Sequence, residues 1–178
     1  MIEAIAAIDI NAFLNSTLGE NAWIPGAVLF ATWETIYMVF ISTAVSYIVG
    51  LPLALILVTT EKGHILENQR INEVLGGIVN AFRSIPFIIL LILLIPFTRL
   101  IVGTSIGTVA SIVPLSIAAI PFVARLVETS IKEIDWGLIE AALSMGANAW
   151  QIIRKVLIPE AVPSIVLGVA ITAINLVG

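Results

Sequence analysis

Four apolar stretches dictate what this chain can become: residues 25–60, 76–97, 106–127 and 163–178. About 20 apolar residues cross a bilayer core, so 36–58 alone spans with room to spare. Hydrophobic residues make up 60% of the 178 and charged residues only 11%, with a mean hydropathy of +1.12. A soluble domain of this size has too little interior to hide that much apolar surface, so the membrane is its solvent. The backbone must then satisfy its own hydrogen bonds, and long apolar runs do so as helices. The predicted fold class is all-α, a polytopic membrane helix bundle. Cysteine is absent, which removes disulfides and thiolate chemistry together. The chain carries no basic run suited to nucleic acid.

The individual segments carry further expectations. Residues 1–24 hold Glu3, Asp9 and Glu20 without a Lys or Arg, and read as an acidic tail; Ile2, Ile5 and Ile8 offer at most a weak interfacial stripe. This segment lacks the basic start and cleavage pattern of a secretory signal. Trp23 and Trp33 sit where aromatic rings favour the headgroup level, and Glu34 beside them reads as an interfacial carboxylate rather than a proton carrier inside the membrane. His64 lies in a polar loop, 61–73, with no second ligand at metal spacing, and reads as a solvated loop histidine.

The second apolar stretch is interrupted by Arg83, Ser84, Ile85 and Pro86. The run 87–97 reaches only about 17 Å, too little to cross alone. Either the span begins before Arg83 and kinks at Pro86, or it extends through Arg99; Arg83 then snorkels to the inner leaflet. The third stretch is rich in small and hydroxyl residues (Gly107, Ala110, Ser116, Ala119) despite Pro114 and Pro121, and is predicted to pack at the bundle centre. Gly103 and Gly107 have a dimerisation spacing but fall at a turn. The fourth stretch gives about 24 Å against a core of roughly 30 Å, so the sequence is expected to be incomplete at its C-terminus, with about four spans present.

Charge placement orients the bundle. With the tail outside, Lys62, Arg70, Arg83, Arg125, Lys132, Arg154 and Lys155 all fall at or near the cytoplasmic side, and only Arg99 falls outside. The loops 61–73 and 128–162 are then both cytoplasmic.

The longer loop contains DWGLIEAALSMGANAWQIIRKVLIP, residues 135–159. Asp135 can cap a helix start, Gly146 can end that helix, and a second helix begins near Asn148 and closes at Pro159. Leu138, Ile139, Ala142 and Met145, then Trp150, Ile153, Val156 and Leu157, recur at helical spacing. Such a helix pair is either a lid or a handle for something else.

Glu140, Ala141 and Ala142, followed by Gly146, Ile153, Leu157, Ile158 and Pro159, resemble the EAA signature of permease subunits of ATP-binding-cassette importers. The resemblance extends from Trp33 to Gly178. It includes Arg83-Ser84-Ile85-Pro86-Phe87, Pro96-Phe97-Thr98-Arg99 and Val102-Gly103-Thr104-Ser105, which are similar to the methionine-importer permeases. It implies a type I importer transmembrane domain over 25–178, of an expected five spans, with 135–159 as the coupling helices. Glu140, Ala141, Ala142, Ser144, Gly146, Ala147 and Pro159 would form the docking surface for the ATPase. The implied partners are two cytoplasmic ATPase subunits, a second permease copy and an external substrate-binding lipoprotein that delivers methionine.

The sequence carries no G-x-x-x-x-G-K-[ST] phosphate loop and no catalytic or metal-ligand set, so no cofactor is expected on this chain, and ATP hydrolysis is expected on the partner. The rival readings are an ion-coupled carrier, which needs intramembrane acids around a mid-bilayer site, and a scaffold without a pathway.

Overall fold

The structure is a computed structural model that describes Gly19 and Trp23–Val177. The tail expected over 1–24 therefore lies almost entirely outside the described residues. All regular structure among those described is helical: α1 Ile24–Thr59, α2 Gln69–Ser84, α3 Phe87–Val102, α4 Thr108–Lys132, α5 Trp136–Ser144, α6 Ala149–Ile152, a π turn Ile153–Leu157, and α7 Ile158–Val177. The residues group into two compact units, Met1–Tyr37 and Met38–Gly178. In the first, the hydroxyls of Thr32 and Thr35 bond back to the carbonyls of Val28 and Ala31, and Trp23 and Trp33 are exposed.

Among the described residues three helices are long and apolar enough to cross a membrane, Ile24–Thr59, Thr108–Lys132 and the continuous Ala149–Val177, and a fourth crossing is available if α2 and α3 act as one broken span. Of the two courses expected for that stretch, a kink at Pro86 or an extension through Arg99, the structure shows a sharp break followed by a helix that extends through Arg99. The axes of α2 and α3 bend by 107°, because Ile85 takes the extended conformation forced on a residue before proline (φ −82°, ψ 124°). Pro86 then starts α3 afresh, and α3 runs through Arg99 to Val102. The left-handed Gly103 (φ +82°) ends it, and Gly107 (φ +110°) precedes α4, so both glycines serve a turn as expected.

Helix α4 is the centre of the second unit and packs against α2, α3 and α7. Between spans the lipid tails are as apolar as the side chains, so close approach and hydrogen bonds hold the helices together. The Ser46 hydroxyl donates to the Ser116 carbonyl across α1 and α4 at 3.0 Å. Gly50 of α1 lies so close to α4 that an added Cβ would sit 2.8 Å from Val123 Cγ1 and 3.2 Å from the Ile120 carbonyl. Gly168 of α7 is equally tight, with a Cβ falling 2.8 Å from the Tyr47 hydroxyl and 2.9 Å from Leu126.

The Gly50 crossing yields a direct test. Gly50→Val forces α1 off α4 and is expected to cost about 1–3 kcal/mol, read as a lower Tm in detergent. Gly77, in α2, has open space around its Cα, so Gly77→Ala removes only backbone freedom and is expected to leave Tm unchanged or slightly higher.

Candidate functional site

The 135–159 segment folds as a capped helix pair, and each cap is visible in the sequence. The Asp135 carboxylate accepts from the Gly137 N–H at 2.6 Å, starting α5. At the other end Gly146 adopts φ +80°. Its N–H donates to the Leu143 carbonyl at 2.9 Å, while the Ala147 N–H donates to the Ala142 carbonyl at 3.0 Å. These two bonds satisfy carbonyls that the helix end would leave bare. Asn148 and Gln151 then form a reciprocal capping box at the start of α6, both bonds at 2.9 Å.

Pro159 does not close the second helix, contrary to the expectation from sequence. A proline there has no N–H, and in a straight α-helix its ring presses on the carbonyl four residues back. The π turn absorbs this by one residue: the Ile158 N–H reaches back five residues to the Ile153 carbonyl. Pro159 thereby falls in the first turn of α7, where a missing donor costs nothing. The helix continues from Ala149 to Val177, so the second half of the pair is the beginning of the membrane span.

One continuous core roots the pair. It joins Ala54 and Val58 of α1, Val123, Val127 and Ile131 of α4, Ile139 and Ala142 of α5, Ile152, Ile153 and Leu157, and Ala161 of α7. Burying a large aliphatic side chain contributes about 1.5–3 kcal/mol, so Ile139, Ile152 and Leu157 alone hold the pair firmly.

The expected docking residues divide on this core. Glu140, Ala141, Ser144, Gly146 and Pro159 are exposed, Ala147 is half-buried, and Ala142 is buried. Ala142 packs inward; its small size matters for the core. Glu140 makes no ion pair within the described residues and stands free for a basic group from outside. The apolar stripes also divide: Ile139, Ala142, Ile153 and Leu157 face in, whereas Leu138, Met145 and Trp150 face out. Met145 is 81% exposed and Trp150 67%. With Leu143 they put apolar side chains beside the small residues of the pair, and the sequence reading missed them as contact residues. The signal was present, since apolar residues in excess of one helix stripe have no room in a single core face.

The 60–68 loop meets the pair at the same end of the bundle. Glu61 pairs with Lys132 at 2.8 Å, and Lys132 also reaches Glu128 at 3.1 Å. Glu128 in turn pairs with Arg125 at 2.7 Å, whose guanidinium continues to Asn80 of α2 at 3.0 Å. Helix α4 thus runs past the expected end at residue 127, taking in a buried acid held by two cations. His64 corrects the expectation of a solvated ring. It is half-buried and stands edge-on to Trp136, ring centroids 5.3 Å apart at 73°. Burial pushes its imidazole down from the usual range, Glu61 opposes this and Lys132 adds to it. The neutral ring accepts the Ile65 N–H at Nδ1, 3.0 Å away.

The turn between α5 and α6 is held by backbone geometry. Nothing lies within 4 Å of a Cβ placed on Gly146, so Gly146→Ala is penalised by its left-handed φ alone, by about 1–2 kcal/mol. Asn148→Ala is expected to cost about 1 kcal/mol through the lost cap. Both variants should speed hydrogen exchange of the amides over 145–152; native-like exchange would show that the caps do not hold the turn.

With this geometry in place, the comparisons with known proteins fall on the same segments. Residues 47–178 match the family described as binding-protein-dependent transport system inner membrane component. A probable D-methionine transport system permease protein MetI from Vibrio cholerae is 57% identical over 150 residues, covering 84% of this chain and 67% of the relative. The D-methionine transport system permease protein MetI of Escherichia coli K12 is 53% identical over 146 residues, covering 82% and 67%. A solved structure described as inward facing conformations of the MetNI methionine ABC transporter superposes with a TM-score of 0.81 at 53% identity, covering 82% of this chain and 68% of that one. A more distant structure, an amino acid ABC transporter with histidines, is 24% identical with a TM-score of 0.66 and shares the fold alone. The helix pair, the broken second span and the small-residue fourth helix all lie within the matched residues, and the chain belongs to the family of inner membrane components of binding-protein-dependent transport systems.

Proposed function

We propose that this chain is the permease subunit of an ATP-binding-cassette importer for methionine, and that the 135–159 helix pair couples its spans to a separate ATPase. The observation that carries this reading is the pair itself. It is rooted in a core shared with α1, α4 and α7, yet presents small residues, a free carboxylate and exposed Leu143, Met145 and Trp150. A lid would turn its apolar side chains inward, whereas a handle needs some of them outside. Glu140, Ala141, Ser144, Gly146, Ala147 and Pro159 form the docking surface in this reading, with Ala142 supporting it from within. Methionine as substrate is supported by the relatives and the solved transporter that carry that name at 53–57% identity.

Membership of the family supports a reading of the remaining parts of the machine. ATP is hydrolysed on two ATPase subunits and not on this chain, which itself takes no cofactor. A second permease copy completes the pathway, and an external binding protein delivers the substrate. Lys62, Arg70, Lys132, Arg154 and Lys155 lie on the loops 61–73 and 128–162, with Arg99 at the other end, and this distribution supports placing the loops in the cytoplasm, with the N-terminus outside. Closure of the ATPase dimer would pull the pair, and the spans that share its core would move as a rigid body.

Glu140→Lys and Met145→Asp are expected to weaken ATPase binding at least about tenfold, as loss of a charged or central apolar contact does, without lowering the Tm of the permease. Methionine uptake into vesicles containing the whole complex should stop when ATP is withheld. Uptake sustained by an ion gradient alone would replace this reading with that of a secondary carrier.

A further inference from the structure

The Glu61 to Asn68 loop has features that a passive connection does not need. The Leu66 N–H donates to the Thr59 carbonyl and the Asn68 N–H to the Thr60 carbonyl, both at 2.9 Å. The Asn72 amide donates to the Leu57 carbonyl at 2.6 Å, and the Gly63 N–H donates to Glu67 at 2.9 Å. The loop is therefore fastened to the last turn of α1. From this platform two side chains reach across the bundle end: Glu61 to Lys132 at 2.8 Å, and His64 to the Trp136 ring at 5.3 Å. Lys132 is the last residue of α4 and Trp136 the first of α5. The two contacts bracket the short 133–135 turn at which α5 leaves α4, while Ile65 and Ile134 each pack against the common core.

We propose that residues 61–65 form a positioning clamp that fixes the angle between α5 and α4, so that force on the helix pair moves α4 and α1 together. This inference rests on the transporter reading above. Without the clamp α5 is held through Ile139 and Ala142 in the core, and the 133–135 turn is left free to bend. Part of any displacement would then be spent bending it, and ATP would be hydrolysed without a matching movement of the spans. Energy argues for position over stability here. The Glu61–Lys132 pair is 44% and 43% exposed, and pairs so exposed add little to folding. Its removal should leave the fold in place and change only how faithfully the pair transmits motion.

The test uses the whole complex, permease with ATPase and binding protein, in proteoliposomes, with ATP hydrolysis and radiolabelled methionine uptake measured on one preparation. In the double variant Glu61→Gln/His64→Ala, ATP hydrolysed per methionine imported is expected to rise about fivefold or more, the lower range of couplings between distant sites, while ATPase binding stays native. His64→Phe keeps a ring against Trp136 and should stay near the native ratio. If the double variant expresses poorly, the isosteric Glu61→Gln alone carries the test with a smaller rise. An unchanged ratio, or hydrolysis and uptake falling in proportion, would overturn the clamp. A native complex showing no ATP-dependent uptake would instead overturn the transporter reading beneath it.

Discussion

The structure depends on one packed junction, where the ends of α1 and α4, the start of α7 and the helix pair bury Val58, Val127, Ile131, Ile139, Ile152 and Leu157 against each other. Within the bilayer, helices gain little from apolar contact alone, because lipid offers the same contact. At the end of the bundle water is the competing solvent, and each buried aliphatic group regains its full transfer energy. The strongest apolar cohesion therefore lies where the spans meet the loops. Above it the helices are held by fit, through Gly50 on Val123 and Gly168 on Tyr47 and Leu126. A movement imposed at the junction reaches three spans without having to be relayed between them.

The polar shell around this junction is arranged as a chain of shared partners. Arg125 bonds to Glu128 and Asn80, Glu128 is held by Arg125 and Lys132, and Lys132 extends to Glu61. A buried carboxylate needs such compensation, since leaving one partner unpaired costs far more than the pair gains. The network joins α2, α4 and the 61–65 segment, and so ties α2, which has no residue in that core, to the helix at its centre. The acid in this shell is neutralised on both oxygens, which suits a structural part better than a proton relay.

Much of this was legible in the sequence because the signals were local. Asp135, Gly146 and Asn148 announce caps through side-chain chemistry and backbone freedom, and all three perform as their residue types suggest. The membrane class followed from composition, and the spans from apolar run length. The misreadings share a physical origin. Pro159 looked like a helix stop because a local rule cannot anticipate a π turn that depends on five successive residues. Pro86 left a kink and an extension through Arg99 both open, because the break of 107° goes with partners far off in sequence, Arg125 bonding to Asn80 and to the Gly76 carbonyl. His64 looked solvated because Trp136 lies 72 positions away and nothing near His64 foretells the contact. Ala142 looked like surface because the EAA signature names residue types without saying which of them turns inward.

The π turn has a mechanical consequence. By carrying the helix through Pro159 without a break, it makes Ala149–Val177 a single rod of 29 residues, about 44 Å at 1.5 Å per residue. Trp150 sits at one tip of that rod. Leu157 and Ala161 fasten it to α1 and α4 near that tip, and the tight crossing at Gly168 fastens it to the same two helices further along. A displacement at the tryptophan therefore carries α7 together with α1 and α4 rather than against them.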